Sequence, residues 1–192
     1  MKNIGFFGGS FDPIHLGHLN LAIQILEKLK LDKIIFCPAN VSPFKTENPP
    51  IASSKDRFEM VKIAIQDFKN FDLTNFEIRN ENISYTINTL KEIKNSDNLR
   101  LIITEDTLLN FHKWKDYKNI LQIALLIVGV RNKFLENFKS ENFTLNNKNF
   151  VKTNIFEISS TEIRKRLKNH KNCLHLIPKE TLDYIYNRKL YL

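Results

Sequence analysis

Two histidines near the start of the chain, His15 and His18, follow a pair of glycines, Gly8 and Gly9. Their spacing places both imidazoles on one face of a helical turn. Glycine lets a backbone approach a ligand closely because it has no Cβ, and the first turn of a helix offers free N–H groups and a positive dipole. These residue types, in this order, predict a site that binds phosphate.

A metal site is the alternative use of the two histidines. Zinc would require two further ligands, and the two cysteines, Cys37 and Cys173, lie in unrelated parts of the chain. We therefore predict no metal held by protein side chains. The common phosphate motifs are also missing, since the chain has neither a P-loop ending in Gly-Lys-Ser/Thr nor a GxGxxG turn.

A second candidate phosphate site is a run of three hydroxyl residues, Ser159, Ser160 and Thr161, before a predicted helix that carries Arg164. Ser159 and Glu162 fit a capping box, which accounts for one hydroxyl but not for three. A planar guanidinium suits bidentate contact with a phosphate. We therefore expect Arg164 to reach back toward an anion at the start of this helix.

Apolar strands alternate with helical stretches, and these elements must position the candidate residues. An apolar run at 3–7 precedes the glycines, and apolar residues at helical spacing indicate a helix from Leu16. The alternation predicts an α/β fold, a doubly wound, mainly parallel, Rossmann-like sheet with helices on both faces. The other predicted strands are 33–37, 71–78, 99–103, 124–130 and 150–158, and the other predicted helices are 54–68, 85–93, two within 107–123, 161–168 and 179–189.

The composition limits the classes of protein to consider. With 192 residues, 42% of them hydrophobic, the chain is predicted to be one domain, 1–192, whose helical C-terminal part starts at about 159. The segment 133–149 has no firm period and is predicted to be a surface excursion.

The charge and the cysteines indicate the partners and the compartment. The net charge is +8, but lysines are spread along the chain and mixed with acids, so we expect no nucleic-acid partner. Two distant cysteines, no signal peptide and no long apolar run indicate a cytoplasmic protein without a membrane partner. A homo-oligomer stays open.

Residues 8–18, GGSFDPIHLGH, resemble the signature of the HxGH nucleotidyltransferase superfamily, and residues 158–164, ISSTEIR, resemble its ISSTxxR element. The resemblance is strongest to the bacterial nicotinate-nucleotide adenylyltransferases and runs nearly end to end. It implies that His15, His18 and Arg164 are catalytic. The ATP-binding residues that it implies are Gly8, Gly9, Ser10, Phe11, His15, His18, Asp106, Ser159, Ser160, Thr161 and Arg164.

The acceptor side of the resemblance rests on further stretches. Residues 84–90 resemble an SYTxxTL element whose threonine, here Thr86, reads the nicotinate carboxylate, and Trp114 matches a tryptophan that stacks on the pyridine ring. Outside the family, Trp114 would more often be a core residue, and Ser84 would be the cap of a helix. The residues implied to bind nicotinate mononucleotide are Asn40, Lys45, Thr86, Trp114 and Arg131.

Two positions depart from the family pattern. The usual Pro-Pro-His of the acceptor loop is Ser42-Pro43-Phe44, so a histidine contact is missing. The usual Gly-x-Asp appears as Thr104-Glu105-Asp106, which keeps only the aspartate. These changes leave the ATP half of the pattern intact and bear on acceptor recognition.

The resemblance implies a reaction of NAD biosynthesis, in which the phosphate of nicotinate mononucleotide attacks the α-phosphorus of ATP. The products are nicotinate adenine dinucleotide and pyrophosphate, and Mg²⁺ arrives on the ATP phosphates. Two alternatives stay open. One is a relative acting on nicotinamide mononucleotide, phosphopantetheine or a cytidylyl acceptor, and the other is a nucleotide-binding protein without catalysis.

Overall fold

A computed structural model of the chain describes residues 1–80, 82–94, 97–130, 138–154 and 156–192. The strands are β1 Asn3–Gly9, β2 Lys33–Pro38, β3 Phe71–Leu73, β4 Asn98–Thr104, β5 Leu125–Val130, β6 Phe138–Lys139, β7 Thr144–Leu145 and β8 Phe150–Lys152. The α-helices are α1 Leu16–Lys28, α2 Ser54–Ile65, α3 Phe76–Arg79, α4 Thr86–Ile93, α5 Glu105–Leu108, α6 Tyr117–Ile123, α7 Ser160–Lys168 and α8 Lys179–Asn187. Short 3-10 helices lie at Pro43–Lys45, Phe111–Lys113 and Asn147–Asn149.

The main sheet has the strand order β3-β2-β1-β4-β5-β8, and β6 and β7 form a separate antiparallel pair. The strand β1 runs parallel to β4, β4 to β5, and β5 to β8. The order reverses between β1 and β4, which is where Rossmann-like sheets bind ligands, and the glycine pair ends β1. The predicted α/β fold with a parallel, Rossmann-like sheet is confirmed.

The described chain divides into two compact units, and the first comprises Met1–Gly8, Leu21–Ile35 and Tyr85–Ile155. Within it, every residue of β5 after the first is buried, as is typical of a strand in a parallel sheet. A Cβ at Gly129 in this strand would collide with the side chain of Leu21 in α1. Glycine therefore permits the close packing of α1 against β5.

The second unit comprises Gly9–Asn20, Phe36–Ser84 and Phe156–Leu192. Within it, the carboxylate of Asp56 in α2 accepts hydrogen bonds from the Tyr184 hydroxyl at 2.9 Å and from Arg188 Nε at 3.2 Å, both on the C-terminal helical segment. Burial by itself would raise the pKa of Asp56, but these hydrogen bonds and one from Ser53 bring it below its ordinary value. Polar contacts thus tie the C-terminal segment to α2.

The predicted strand over 71–78 is wrong in its second half. Only Phe71–Leu73 is extended, and Phe76–Arg79 forms a helical turn. The hydroxyl of Thr74 accepts a hydrogen bond from the backbone N–H of Phe76 at 3.3 Å. This local bond favours a turn over continued strand.

Two further predictions need correction. The last strand of the sheet ends at Lys152 and does not continue to 158, because the N–H of Asn154 donates to Gln24 Oε1 at 2.8 Å in place of a neighbouring strand. Ser84 does not cap α4; its hydroxyl instead accepts the backbone N–H of Asn40 at 2.9 Å.

The segment 133–149 is described only from residue 138 onward. This part is predicted to be a surface excursion, but two of its residues are buried. Asn149 is buried, and its side-chain amide donates to the carbonyl of Leu126 in β5 at 2.7 Å. Leu145 is buried as well. Among the described residues, no helix has the length and apolar character needed to cross a bilayer.

Candidate active site

The two motif histidines lie where the backbone turns from β1 into α1. Their rings stack with centroids 3.7 Å apart, and the ring of Phe11 meets that of His18 edge-on at 5.1 Å. Phe11 adopts a left-handed φ of 48°, and a Cβ at Gly9 would lie 3.0 Å from the Phe11 ring. Glycine at this position thus admits a folded-back aromatic ring that flanks His18, a role that spacing alone does not reveal.

His18 is held as a neutral imidazole with its proton on Nε2. Its Nδ1 accepts the backbone N–H of His15 at 3.3 Å. Removal from water, and the positive charges of His15 and Lys45, keep the pKa of His18 well below its ordinary value of 6.5. At neutral pH the Nε2–H is therefore a hydrogen-bond donor in a defined direction, which suits a phosphate oxygen.

Acidification is expected to destabilise the wild-type protein more than its His18→Gln variant. The unfolded chain protonates His18 as the pH falls through about 6.5, whereas the folded chain resists protonation until a lower pH. The stability that the neutral ring supplies at pH values above about 6.5 is therefore lost progressively as the pH falls from about 6.5 toward the pKa of the folded protein, by at most about 1.4 kcal/mol per pH unit. Urea unfolding of both proteins from pH 7 to pH 5 tests this, and a difference in unfolding free energy that does not change with pH would contradict it.

The start of α7 is joined to the histidine motif by hydrogen bonds. The Ser160 hydroxyl donates to the carbonyl of Pro13 at 2.9 Å, and Arg164 Nη1 donates to the carbonyl of Asp12 at 2.7 Å. Arg164 Nη2 also donates to the Thr161 hydroxyl at 3.2 Å, which orients the guanidinium. The starts of α1 and α7, some 150 residues apart in sequence, therefore lie together.

All three hydroxyls of the run 159–161 have partners in the protein, and that of Thr161 is Arg164 Nη2. Ser159 caps α7, where its Oγ accepts the N–H of Glu162 at 3.1 Å, which is one of the two bonds of the predicted capping box. Ser160 commits its only hydroxyl proton to Pro13. Ser160 can therefore meet a phosphate with its backbone N–H, but its hydroxyl cannot donate to one unless it leaves Pro13.

Asp12 has its carboxylate at the centre of this cluster and is only 4% exposed. Its oxygens accept the backbone N–H groups of Ile51 and Ala52, at 2.9 and 3.1 Å, and the Tyr191 hydroxyl at 2.7 Å. Arg164 Nη1 lies 3.7 Å from Asp12 Oδ2. A buried carboxylate is stabilised by such hydrogen bonds, which here come from a loop and the C-terminal segment, while α7 supplies the ion pair.

Arg57, in the first turn of α2, is 1% exposed and donates only to backbone carbonyls. Its Nη1 donates to Ser10 at 2.7 Å and Ala39 at 2.6 Å, Nη2 to Asn40 at 2.8 Å, and Nε to Ala52 at 3.2 Å. One side chain thus fixes the glycine turn and the loop after β2 to each other. Burial lowers the pKa of Arg57, but an arginine remains charged at any relevant pH.

Lys45, at the end of the 3-10 helix Pro43–Lys45, belongs to the same charged neighbourhood. Partial desolvation lowers the pKa of Lys45; the positive charges of Arg164 and Arg57 lower it further, whereas Asp12 opposes them. Cations that repel one another in this way bind a polyanion well, because the anion relieves the repulsion.

Trp114 and Thr86, two of the predicted acceptor residues, belong to the first unit. Trp114 is half-buried beside Phe111, at a centroid distance of 5.3 Å, so it is neither fully core nor free in solvent. Lys115 Nζ lies 4.3 Å from the centroid of the Tyr85 ring, which brings the segment of Trp114 next to Thr86 at the start of α4. The segments that carry the two predicted acceptor residues are therefore adjacent.

Asp106 and Arg131 are the remaining predicted residues in the stretch after β4. Asp106 is exposed in the first turn of α5, directly after β4. Arg131, predicted to bind the acceptor, lies outside the described residues.

Comparison with known proteins identifies the family. A family model described as cytidylyltransferase-like matches residues 6–166. A relative from Methylacidiphilum infernorum, named a probable nicotinate-nucleotide adenylyltransferase, is 39% identical over 98% of this chain and 92% of its own length. A relative of the same name from Hydrogenobaculum sp. is 41% identical, over 98% of this chain and 97% of its own length. The chain belongs to the nicotinate-nucleotide adenylyltransferase family.

A solved structure shares the fold of this adenylyltransferase. Plasmodium falciparum nicotinic acid mononucleotide adenylyltransferase complexed with NaAD superimposes with a TM-score of 0.75 at 21% identity, over 100% of this chain and 98% of that chain. The resemblance inferred from the sequence motifs is confirmed, as is the prediction that the chain is an enzyme of the nucleotidyltransferase class.

No sequence pattern marks Asp12, Arg57 and Tyr191 as the residues that hold the adenylyltransferase motif in place. Asp12 lies inside the motif, but its partners are remote in sequence. Arg57 occupies the first turn of a helix, where an arginine is usually exposed, and Tyr191 is the next-to-last residue. The available signals were the position of Asp12 between the glycines and the histidines, and the match of the C-terminal segment to the family.

Proposed function

We propose that this chain transfers the adenylyl group of ATP to nicotinate mononucleotide, releasing pyrophosphate and forming nicotinate adenine dinucleotide. The observation that carries the proposal is the joining of the two helix starts, through the bonds of Ser160 to Pro13 and of Arg164 to Asp12. It collects two helix N-termini, an imidazole donor and a guanidinium, which are the groups that bind a triphosphate. The names of the relatives point to nicotinate mononucleotide as the acceptor.

The chemistry asks for alignment and charge neutralisation and not for a base. A phosphate monoester has a second pKa of about 6 and is largely a dianionic nucleophile at neutral pH. The acceptor oxygen forms a bond to the α-phosphorus as the bond to the pyrophosphate oxygen breaks. We propose that His18 Nε2–H, His15 and Arg164 stabilise the negative charge that spreads over the phosphate oxygens during this step. Cys37 is no competing nucleophile, because burial and the adjacent Glu77 raise the pKa of its thiol.

Mg²⁺ would neutralise phosphate charge when it arrives with ATP. Among the described residues, no group of three or more histidine, cysteine or acidic side chains is placed to hold a metal ion. We propose that the ligands of this Mg²⁺ are phosphate oxygens and waters, which Mg²⁺ commonly keeps when it is bound with a nucleotide. The chain's own cations, Lys45 and Arg164, then act on the phosphates directly.

For the acceptor we propose Trp114 and Thr86 as contacts of the nicotinate ring and its carboxylate, and Asn40, Lys45 and Arg131 as further polar contacts. The adjacency of the Trp114 and Thr86 segments supports the first pair. Phe44, which replaces the family histidine, is 53% exposed. Its phenyl ring cannot form the polar contact that an imidazole would form with the acceptor. For ATP we propose, besides the catalytic residues, the turn 8–11, Asp106 and the residues 159–161.

We also propose a cytoplasmic location and no nucleic-acid partner. Both cysteines are free, buried thiols, as expected in a reducing compartment where ATP is abundant. A homo-oligomer is compatible with this function and is not required by it.

Pyrophosphate release with a panel of acceptors tests the proposed function. With ATP and Mg²⁺, we expect nicotinate mononucleotide to support the highest kcat/KM, ahead of nicotinamide mononucleotide and phosphopantetheine. A higher kcat/KM with the amide would reassign the acceptor. ATP binding without pyrophosphate release from any acceptor would instead identify a nucleotide-binding protein.

A further inference from the structure

The cluster around Asp12 contains a contact that the proposed reaction does not use. Tyr191 is 9% exposed, with a left-handed φ of 63°, and its hydroxyl donates to Asp12 Oδ1 at 2.7 Å across 179 positions of sequence. Burial and the negative charge of Asp12 raise the pKa of Tyr191 well above its ordinary value, so this phenol stays protonated and remains a donor. The C-terminal segment is therefore hydrogen-bonded directly to the histidine motif, at Asp12.

The other oxygen of the same carboxylate faces Arg164. Asp12 Oδ2 accepts from the N–H of Ile51 at 2.9 Å and lies 3.7 Å from Arg164 Nη1, which also donates to the Asp12 carbonyl at 2.7 Å. The side chain of Arg164 is 23% exposed, so its guanidinium is partly open to solvent while one edge is held by Asp12. The Asp12 carbonyl and the Thr161 hydroxyl hold the guanidinium by hydrogen bonds, and the Asp12 carboxylate adds an ion pair to the same nitrogen, Nη1.

We propose that Tyr191 is a positioning residue: its hydroxyl orients the Asp12 carboxylate, and the carboxylate in turn aims Arg164 at the ATP phosphates. This inference rests on the proposed function in one respect, that Arg164 contacts ATP. Tyr191 is buried with its hydroxyl on Asp12, so the role assigned to it needs no contact with substrate. The C-terminal residues thereby act on the phosphate site through one buried carboxylate.

After loss of the hydroxyl, Asp12 Oδ1 still accepts the Ala52 N–H, at 3.1 Å. A buried carboxylate that has lost a donor turns toward other cations, and Lys45 and Arg57 both feel its charge. Arg164 would then spend less time in the orientation that meets phosphate. The expected loss is in the contact of Arg164 with the ATP phosphates, both in bound ATP and in the transition state, whereas the acceptor contacts are unchanged.

The test compares Tyr191→Phe with Tyr184→Phe, which also removes one hydroxyl from a carboxylate contact of the C-terminal segment, that of Asp56 at 2.9 Å. We expect Tyr191→Phe to lower kcat about five- to tenfold, the equivalent of one hydrogen bond, with KM for nicotinate mononucleotide unchanged. Tyr184→Phe should leave kcat within about twofold of wild type, although both variants lower Tm. Equal losses of kcat in the two variants, or none in Tyr191→Phe, would overturn the inference.

A double-mutant cycle tests whether Tyr191 acts through Arg164. In an Arg164→Lys background, the lysine lacks the planar fork that Asp12 orients, so Tyr191→Phe should lower kcat by less than about twofold. The same five- to tenfold loss in both backgrounds would show that Tyr191 acts by another route and would overturn the proposal.

Binding of ATP separates this inference from the proposed function. If no acceptor yields pyrophosphate, the function fails, but calorimetric binding of ATP with Mg²⁺ still reports on Arg164. We expect about fivefold weaker binding for Tyr191→Phe and unchanged binding for Tyr184→Phe. Equal affinity in wild type and Tyr191→Phe overturns the inference whatever the acceptor, and a wild type that binds no ATP overturns both.

Discussion

Replacing His18 by alanine is expected to lower kcat for pyrophosphate release by about 100- to 1,000-fold, the loss seen when one preorganised donor to a transition-state oxygen is removed. The Nε2–H of His18 is preorganised because Nδ1 is occupied by the His15 N–H and the depressed pKa keeps the ring neutral. Steady-state kinetics with ATP and nicotinate mononucleotide measure the effect.

The matched control is His175→Ala, which removes an exposed imidazole outside the cluster. Its kcat should stay within about twofold of wild type, as for most surface substitutions. Circular dichroism and thermal unfolding should show that His18→Ala remains folded. Near-normal turnover in a folded His18→Ala protein would remove His18 from the catalytic assignment.

Replacing Arg57 by methionine is expected to lower the free energy of unfolding by about 3 kcal/mol or more, because four buried or partly buried carbonyls lose a charged donor. Four backbone carbonyls, of Ser10, Ala39, Asn40 and Ala52, accept from this guanidinium. Methionine fills a similar volume but donates no hydrogen bond. Urea unfolding of wild type and variant measures the difference, with the m-value checked for constancy.

The matched control for Arg57 is Arg188→Met, the same substitution at an arginine whose side chain is 60% exposed. Arg188 pairs with Asp56 at 3.2 Å, and an ion pair so open to solvent contributes about 1 kcal/mol or less. If Arg57→Met cost no more than Arg188→Met, the buried guanidinium would not be the element that holds the two loops. Arg57→Lys should fall between the two, since one ammonium cannot reach four carbonyls.

Helix α2 illustrates where sequence patterns stop being informative. A serine hydroxyl before an apolar-periodic stretch is a local signal that indicates Ser53 or Ser54 as the cap of this helix, and Ser53 is the residue that provides it. The helical spacing of Phe58, Val61, Ile65 and Phe68 predicts the apolar face, and Val61 and Ile65 are buried as expected. Phe58 is only half-buried, and Phe68 lies beyond the end of the helix at Ile65. The buried face also includes Asp56 and Arg57, whose partners lie elsewhere in the chain. No period in the sequence marks a charged residue as buried.

The sequence by itself determined the alternation of the main strands and helices and the two helix starts that carry His18 and Arg164. Those features depend on periodicity, glycine and capping, which act over a few residues. Only the tertiary structure decided that Asp12, Arg57 and Tyr191 hold the phosphate motif together. The physical reason is that a buried polar group is stable only with hydrogen-bond partners, and theirs lie up to 179 positions away, where packing alone brings them into contact.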